Sequence, residues 1–515
     1  MVNVKNRKIL AEIRVRIVNF KSYLTDNKTV KQTIFKNTFW LGAGTIISRS
    51  LKLILVIYVA RILGATEYGK FNFALSFVSL FIVFLNLGLP VIVTREFARD
   101  KEKEKDFYSV ISFKIIFNIA VLILILIGAL FLTPDKNVQR VAWVLALFVF
   151  IDNITAIFYG FFQARQKMEY NALGEILNAL VVAGMGLFII FNFPSILNLS
   201  YAYLLASTVV LIFTLLIFHF KFIPLRFSFQ KEVWRKFLFM SWPIVLTGVS
   251  ATFYNFIDSV MMGSFGQIKE TGWYNAAYKI VNIALLPMGL IAGSFFPVLS
   301  KFSHFPKDLA AHKIQELKGR LQKVWDYELE IMISIAIPLV VAGIALASRV
   351  INFIYGQEFI PAILAFQILI VMAGIIFIYI PFYDILTASG NQKKVFLATF
   401  SGAIINIILN LILIPRFSLY GAAAATVVTH SVIFFFVLRF SSRCTPIKPI
   451  NSNVLFYILT ALISSAMMYL AISYPAVYNL NMFISIFIGI LIYSAAFTSL
   501  RFGRKYIIKV FLSKN

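Results

Sequence analysis

One cysteine, Cys444, stands in 515 residues, so no internal disulfide, cysteine-rich metal site or CxxC redox pair can form. Histidine is nearly as scarce, and its four copies fall into no HExxH-type grouping. Charged residues make up only 14% of the chain against 60% hydrophobic, too little polar material to coat several soluble domains. There is no phosphate-cradling P-loop, no nucleophile elbow, and no hydrophilic stretch long enough to host an ATPase. No catalytic residue, metal site or cofactor is therefore expected.

Negative charge is the scarcer sign, with 22 Asp and Glu against 48 Lys and Arg and a net charge of +26. In a soluble chain that excess would point to nucleic acid. Here the basic residues sit in short loops that alternate between apolar runs, which is how charge sets membrane topology, and no nucleic-acid partner is expected. The first 30 residues are basic and lack the compact apolar region of a cleavable signal peptide. Ile9, Leu10, Ile13, Ile17, Phe20 and Leu24 recur at three- and four-residue spacing and predict an interfacial helix on the cytoplasmic leaflet.

Crossing about 30 Å of hydrocarbon takes about 20 predominantly apolar residues, and such runs recur from Thr38 to Arg501. Seven are expected over 38–62, 70–94, 109–132, 140–163, 172–193, 199–219 and 237–263. Seven more are expected over 272–299, 327–348, 361–387, 395–414, 421–439, 453–473 and 481–500, about fourteen membrane helices in all. With both termini in the cytoplasm of a multi-pass cell-membrane protein, 37 basic residues fall on the inside and seven on the outside.

The chain repeats itself weakly. Gly69-Lys70-Phe71-Asn72-Phe73-Ala74 after the first run is matched by Gly272-Trp273-Tyr274-Asn275-Ala276-Ala277 after the seventh. Six helices separate the copies, so both run the same way and form a parallel repeat, an arrangement typical of two-lobed transporters. The expected organisation is a cytoplasmic segment 1–36, a first lobe 37–220, a linker 221–236, a second lobe 237–440, and two further helices with a tail over 441–515. Within the second lobe, Ala310, Ile314, Leu317, Leu321 and Val324 predict an amphipathic cytoplasmic segment over 301–325.

Polar residues inside the apolar runs are the candidate functional ones, because a charge at mid-membrane costs about 2.5–3.5 kcal/mol on insertion scales and needs water or a partner. Thr45, Ser48, Arg49 and Lys52 form one stripe on the first helix. Asn72, Ser76, Ser79 and Asn86 form another on the second, Thr247, Tyr254, Asn255 and Asp258 a third on the seventh, and Asn275, Tyr278, Lys279 and Asn282 a fourth on the eighth. Such stripes line cavities or bond helix to helix. For Arg49 and Lys52 the competing structural reading is pairing with Asp152, Asp258 or a backbone carbonyl, and for Lys114 it is snorkelling to the interface.

Phe39-Trp40-Leu41-Gly42, the run Ala60-Arg61-Ile62-Leu63-Gly64-Ala65-Thr66-Glu67-Tyr68-Gly69, and Asn86-Leu87-Gly88-Leu89-Pro90 with Thr94-Arg95-Glu96 stand in this order. Together with Leu386-Thr387-Ala388-Ser389-Gly390-Asn391-Gln392-Lys393, they resemble the polysaccharide-biosynthesis flippases of the multidrug/oligosaccharidyl-lipid/polysaccharide exporter superfamily. The resemblance implies an all-α, V-shaped, two-lobed transporter working by alternating access. Its implied substrate is a polyprenyl lipid joined through phosphate or pyrophosphate to an oligosaccharide, handed on by glycosyltransferases and a polymerase of the same pathway. On that basis the substrate-binding candidates are Arg49, Lys52, Lys114, Asn255, Asn275, Lys279 and Asn282, and the ion-coupling candidates are Asp152 and Asp258. The alternatives are an ion-coupled multidrug exporter of the same superfamily and a membrane glycan polymerase or ligase.

Overall fold

The structure, a computed structural model, describes residues 29–100, 104–222, 224, 226–303, 311–449 and 451–512, and among them every regular element is a helix. The amphipathic segment expected over Ile9 to Leu24 lies outside the described residues, as does Ala310. In chain order the helices are α1 (Val30–Ser79), α2 (Ile82–Asn86), α3 (Leu89–Arg99), α4 (Glu104–Leu132), α5 (Lys136–Ala164), α6 (Met168–Asn192), α7 (Ile196–Lys221) and α8 (Lys231–Ser264). They continue as α9 (Ile268–Ala284), α10 (Leu286–Ser303), α11 (Ala311–Tyr355), α12 (Ala362–Ala388), α13 (Gln392–Cys444), α14 (Ser452–Ser473), α15 (Pro475–Tyr478) and α16 (Met482–Leu512).

Their outward faces are greasy. On α4 alone Ile116, Ile119, Ile123, Leu124, Ile127 and Phe131 are exposed, a contiguous apolar face that water would not tolerate and hydrocarbon would. The protein is thus a multi-pass α-helical membrane protein. Among the described residues eleven helices are long and apolar enough to cross, or twelve with the pair Phe35–Ser79 and Ile82–Arg99, bent by 43°. Fourteen separate helices are not seen. The difference lies in α1 and α13, which at 50 and 53 residues run continuously through sharp breaks at Gly64 (φ 75°) and Ser418 (φ 52°). At a rise of about 1.5 Å per residue each would be about 75–80 Å long if straight, more than twice the hydrocarbon thickness.

The chain divides into two compact units, one of residues up to 63 with 77–248, the other of 64–76 with 249 onward. The first unit is pinned at one end by phenylalanines. Phe107 of α4 lies 4.8 Å from Phe161 of α5 and 5.2 Å from Phe218 of α7, while Phe158 lies 5.0 Å from Phe218. Phe97 of α3 and Phe237 of α8 stack onto the same group, so five helices share one aromatic core. Edge-to-face pairs of this kind add roughly 0.5–1.5 kcal/mol each beyond the area they bury.

Lys114 occupies the interior of this unit. The second apolar run is broken at Leu87 (φ 51°) and Gly88 (φ 64°), which leaves the last carbonyls of α2 without intrahelical donors. The Lys114 ammonium, wholly buried, donates to Leu85 O at 2.6 Å and Asn86 O at 3.2 Å, placing a cation at a helix C-terminus. It does not snorkel to the interface.

In the second unit the two copies of the repeated motif meet. A Cβ on Gly69 would strike the carbonyl of Ile268, four residues before Gly272, and a Cβ on Gly272 would strike the carbonyl of Ala65, four residues before Gly69. That reciprocity is the contact of two equivalent segments about a local pseudo-two-fold axis, and only glycine permits it. At the break itself, Ala65 N–H donates to the Glu358 carboxylate at 2.8 Å. The expected amphipathic segment 301–325 is not a separate surface helix. From Ala311 it runs straight into the apolar part of α11, because the stripe Ile314, Leu317, Leu321 continues in phase through Trp325, Leu329 and Met332 with no proline before Pro338.

Phe161→Ala should lower stability by about 3–5 kcal/mol, and Lys114→Ala by about 1–3 kcal/mol because two buried carbonyls lose their donor. Melting curves of the detergent-purified variants check both. A Lys114→Ala protein that melts with the wild type would show that the amine does not hold the broken helix.

Candidate functional site

Arg49 and Lys52 lie three residues apart in the first segment of α1 and share one helical face. The chain around them is apolar, and they do not reach the ends of the helix, so what they face must answer their charge. Across from Lys52 stand Asp152 of α5 and Glu175 of α6, its two Coulombic partners. Glu175 in turn acts on Lys52, Arg49 and Asp152, which makes a single cluster of two cations and two carboxylates within the first unit. Tyr159, two turns of the helix beyond Asp152, faces both carboxylates, and its hydroxyl lies where a side chain on Gly174 would be.

The four charges meet open space. Arg49 and Asp152 are exposed and Lys52 and Glu175 half-buried, although each is set in an apolar helix. None of the four closes into an ion pair with another among the described residues; they act on one another through space. The arrangement can accept an anion at Arg49 and Lys52, with the carboxylates holding the empty site near electrical neutrality.

The other expected residues divide sharply. Lys114 is turned onto the carbonyls of α2 and takes no place in the cluster. Asn275 is buried and donates to Ser259 at 2.9 Å and to Thr271 O at 2.8 Å, a bond between helices α8 and α9. Asn255 is exposed, donating to Ala251 O and accepting from Tyr278 at 3.1 Å. Asn282 is exposed and Lys279 half-buried on α9. The stripe on the second run proves to be packing: Asn72, Ser76 and Ser79 are buried, and Asn72 bonds the carbonyl of Tyr68.

Asp258 is no partner of Arg49 or Lys52. Buried in the second unit, it accepts from Tyr274 at 2.6 Å, Thr426 at 2.6 Å and Asn410 at 2.5 Å, so its donors among the described residues are neutral. Asn410 also donates to Asn406 at 3.2 Å, which places five oxygen-bearing side chains of α8, α9 and α13 in one buried knot.

Sequence reasoning missed Glu175 and Tyr159. Glu175 is the lone acidic residue of an otherwise uncharged run from Leu173 to His219, and that isolation was the available signal. Tyr159 carries no such signal, since tyrosine is ordinary in a membrane helix.

Comparison with known proteins places this geometry in a context. A probable low-salt glycan biosynthesis flippase of Haloferax volcanii is 24% identical over 254 residues, 48% of this chain and 51% of that one. A capsular polysaccharide biosynthesis protein of Staphylococcus aureus is 22% identical, with 79% of this chain and 99% of that one covered. Among solved structures, a lipid II flippase in an inward closed conformation matches with a TM-score of 0.71 at 21% identity, covering 90% of this chain and 98% of that one. An inward-facing multidrug resistance MATE family transporter matches with a TM-score of 0.61 at 16% identity, covering 78% and 97%. These likenesses show the all-α transporter fold. The family model described as polysaccharide biosynthesis protein matches residues 34–303, and the chain belongs to that family.

Proposed function

We propose that this protein is a flippase that carries a polyprenyl-phosphate- or pyrophosphate-linked oligosaccharide from the cytoplasmic to the outer leaflet. The observation that carries this reading is the pair Arg49 and Lys52, two cations on one face of an apolar helix opening onto accessible space. A charge set in an apolar membrane helix is costly without a partner, and the phosphate end of a lipid carrier supplies an anionic one with charge-assisted hydrogen bonds. The names of the relatives, a glycan biosynthesis flippase and a capsular polysaccharide biosynthesis protein, support the same substrate class. Transport without chemistry is the fitting activity, with glycosyltransferases supplying the lipid-linked glycan and a polymerase consuming it.

Asp258 is the better of the two candidates for ion coupling, since its oxygen-rich knot is buried and among the described residues holds no cation side chain, whereas Asp152 stands beside Lys52. A second reading, ion-coupled export of cationic drugs, draws on Asp152 and Glu175, which would attract positive charge where Arg49 and Lys52 attract negative. The sign of the cargo separates the two. For topology, the excess of inside basic residues supports cytoplasmic termini and a cytoplasmic start of α11 in the cell membrane.

In reconstituted vesicles, Arg49→Ala with Lys52→Ala should abolish flipping of a fluorescent polyprenyl-diphosphate sugar, while Arg49→Lys keeps part of it and melting temperatures stay near wild type. Full flipping by the double variant would remove the reading. If instead the double variant lost stability, and Asp152→Asn restored it, the cations would be structural. Export of a cationic dye with no movement of the lipid would favour the drug-exporter reading.

A cysteine placed at the exposed Lys318 in a Cys444→Ser background should react with an impermeant maleimide only after cells are permeabilised. Labelling in intact cells would invert the topology.

A further inference from the structure

A second group of buried charge lies far along the chain from the Arg49 cluster and takes no part in it. Glu328 of α11 is wholly buried, and Asp384 of α12 is 9% exposed. The two carboxyl groups act on each other where α11 meets α12. Both oxygens of Glu328, and Oδ2 of Asp384, have no donor among the described residues. Two carboxylates so placed in apolar surroundings repel each other and have lost their water, so something positive must stand between them.

Among the described residues no cation is found acting on the pair, and Tyr383, beside Asp384, is a further titratable neighbour. Several other charged and polar groups on the surrounding elements are engaged elsewhere. On α11, Asp326 accepts from Gln322 at 2.8 Å and from Asn451 at 3.0 Å, and Glu330 pairs with Arg501 of α16 at 2.8 Å. Tyr457 of α14 faces Glu330, Asp326 and Arg501. Tyr379 of α12 bonds His430 of α13 at 3.2 Å, Lys394 of α13 lies over the Phe440 ring, and Lys301 of α10 over Phe302.

We propose that Glu328 and Asp384 form a proton-binding site that holds one exchangeable proton between their carboxyl groups. With the proton in place, one carboxylic acid donates to the other carboxylate and both unsatisfied sides are answered by a single O–H. Release breaks that O–H bond, leaves its electron pair on the oxygen, and sends the proton to water. Two like charges then face each other across the contact of α11 with α12. The way out is short: Glu328 lies eight residues past Arg320, about 12 Å along α11, where that helix is exposed and charged.

The position suits a device that senses protonation. Trp325, one turn before Glu328, is wholly buried, donates to the carbonyl of Pro381 at 3.2 Å and stacks edge-on against Phe382 at 5.1 Å. Pro381 interrupts the hydrogen-bond ladder of α12 three residues before Asp384, at a point where the helix bends easily. The pair titrates as a unit and so presents two discrete states of one helix contact. The site depends on no identification of the transported lipid.

Infrared difference spectra of the full-length protein in lipid nanodiscs, taken between alkaline and acid solution, test the assignment. A protonated-carboxyl C=O band should appear on acidification, shift in D2O, and vanish in the Glu328→Gln, Asp384→Asn double variant, with sodium and potassium chloride leaving it unchanged. Persistence of the band in a folded double variant, or its absence from the wild type, would overturn the proposal, and its loss on adding sodium ion would make the pair a metal-cation site instead. Should the double variant not fold, Asp384→Asn alone must move the midpoint of the wild-type band, and an unmoved midpoint overturns the proposal equally.

Discussion

Charge placed among apolar helices has to be answered by the protein itself, because hydrocarbon offers neither water nor counterion. Lys114, Asp258, Arg49 with Lys52, and Glu328 with Asp384 each meet that constraint differently. Lys114 meets it with backbone carbonyls at a helix end, and Asp258 with three neutral donors. Arg49 and Lys52 meet it partly, with two carboxylates that stand near but do not close on them. The degree of closure sorts structure from function: a charge satisfied on every side can hold a fold, while one left partly open can take a ligand. By that measure the Arg49 cluster is the candidate binding site of the first unit, and the phenylalanine core around Phe107, Phe161 and Phe218 supplies its rigidity.

Much of the architecture was legible in the sequence because it follows from run length and charge. An apolar run of the right length has few ways to fold in a bilayer, so helix existence was secure. Boundaries were not, and for specific reasons. Gly64 and Ser418 turn the chain without ending the helical hydrogen bonding on either side, so two expected helices appear as one. The turn at Leu87-Gly88 breaks an expected single run into α2 and α3. The amphipathic segment before the ninth run merges with α11 because its apolar stripe stays in phase. The repeat, visible as two similar hexapeptides, reappears as the reciprocal contact of Gly69 and Gly272, a relation that spacing alone could not show.

The site was legible in half. A cation pair at mid-helix stands out against an apolar background, so Arg49 and Lys52 were found. Their neighbours were not all found, because which helices face α1 is a matter of tertiary packing. Asp152, weighed as an ion-pair partner, acts on Lys52 without closing on it, Asp258 was weighed beside it and lies in the other unit, and Glu175 was overlooked. Lys114 and Asn275 show the same limit from the other side. Both are polar residues in apolar runs, and only their burial and partners reveal that one caps a helix and the other joins two. Polar stripes in membrane helices serve packing as readily as they line cavities.

The carboxylates beside Arg49 and Lys52 offer the most direct test of the claim that these cations receive the phosphate end of a lipid carrier. Calorimetric binding of a short polyprenyl diphosphate to the purified protein measures it without a transport assay. Removing a competing negative charge should tighten binding, so Asp152→Asn and Glu175→Gln should each lower Kd. Arg49→Ala and Lys52→Ala should raise it, and added salt should weaken wild-type binding. Affinity that is the same in all four variants, or that falls when either carboxylate is neutralised, would contradict the account.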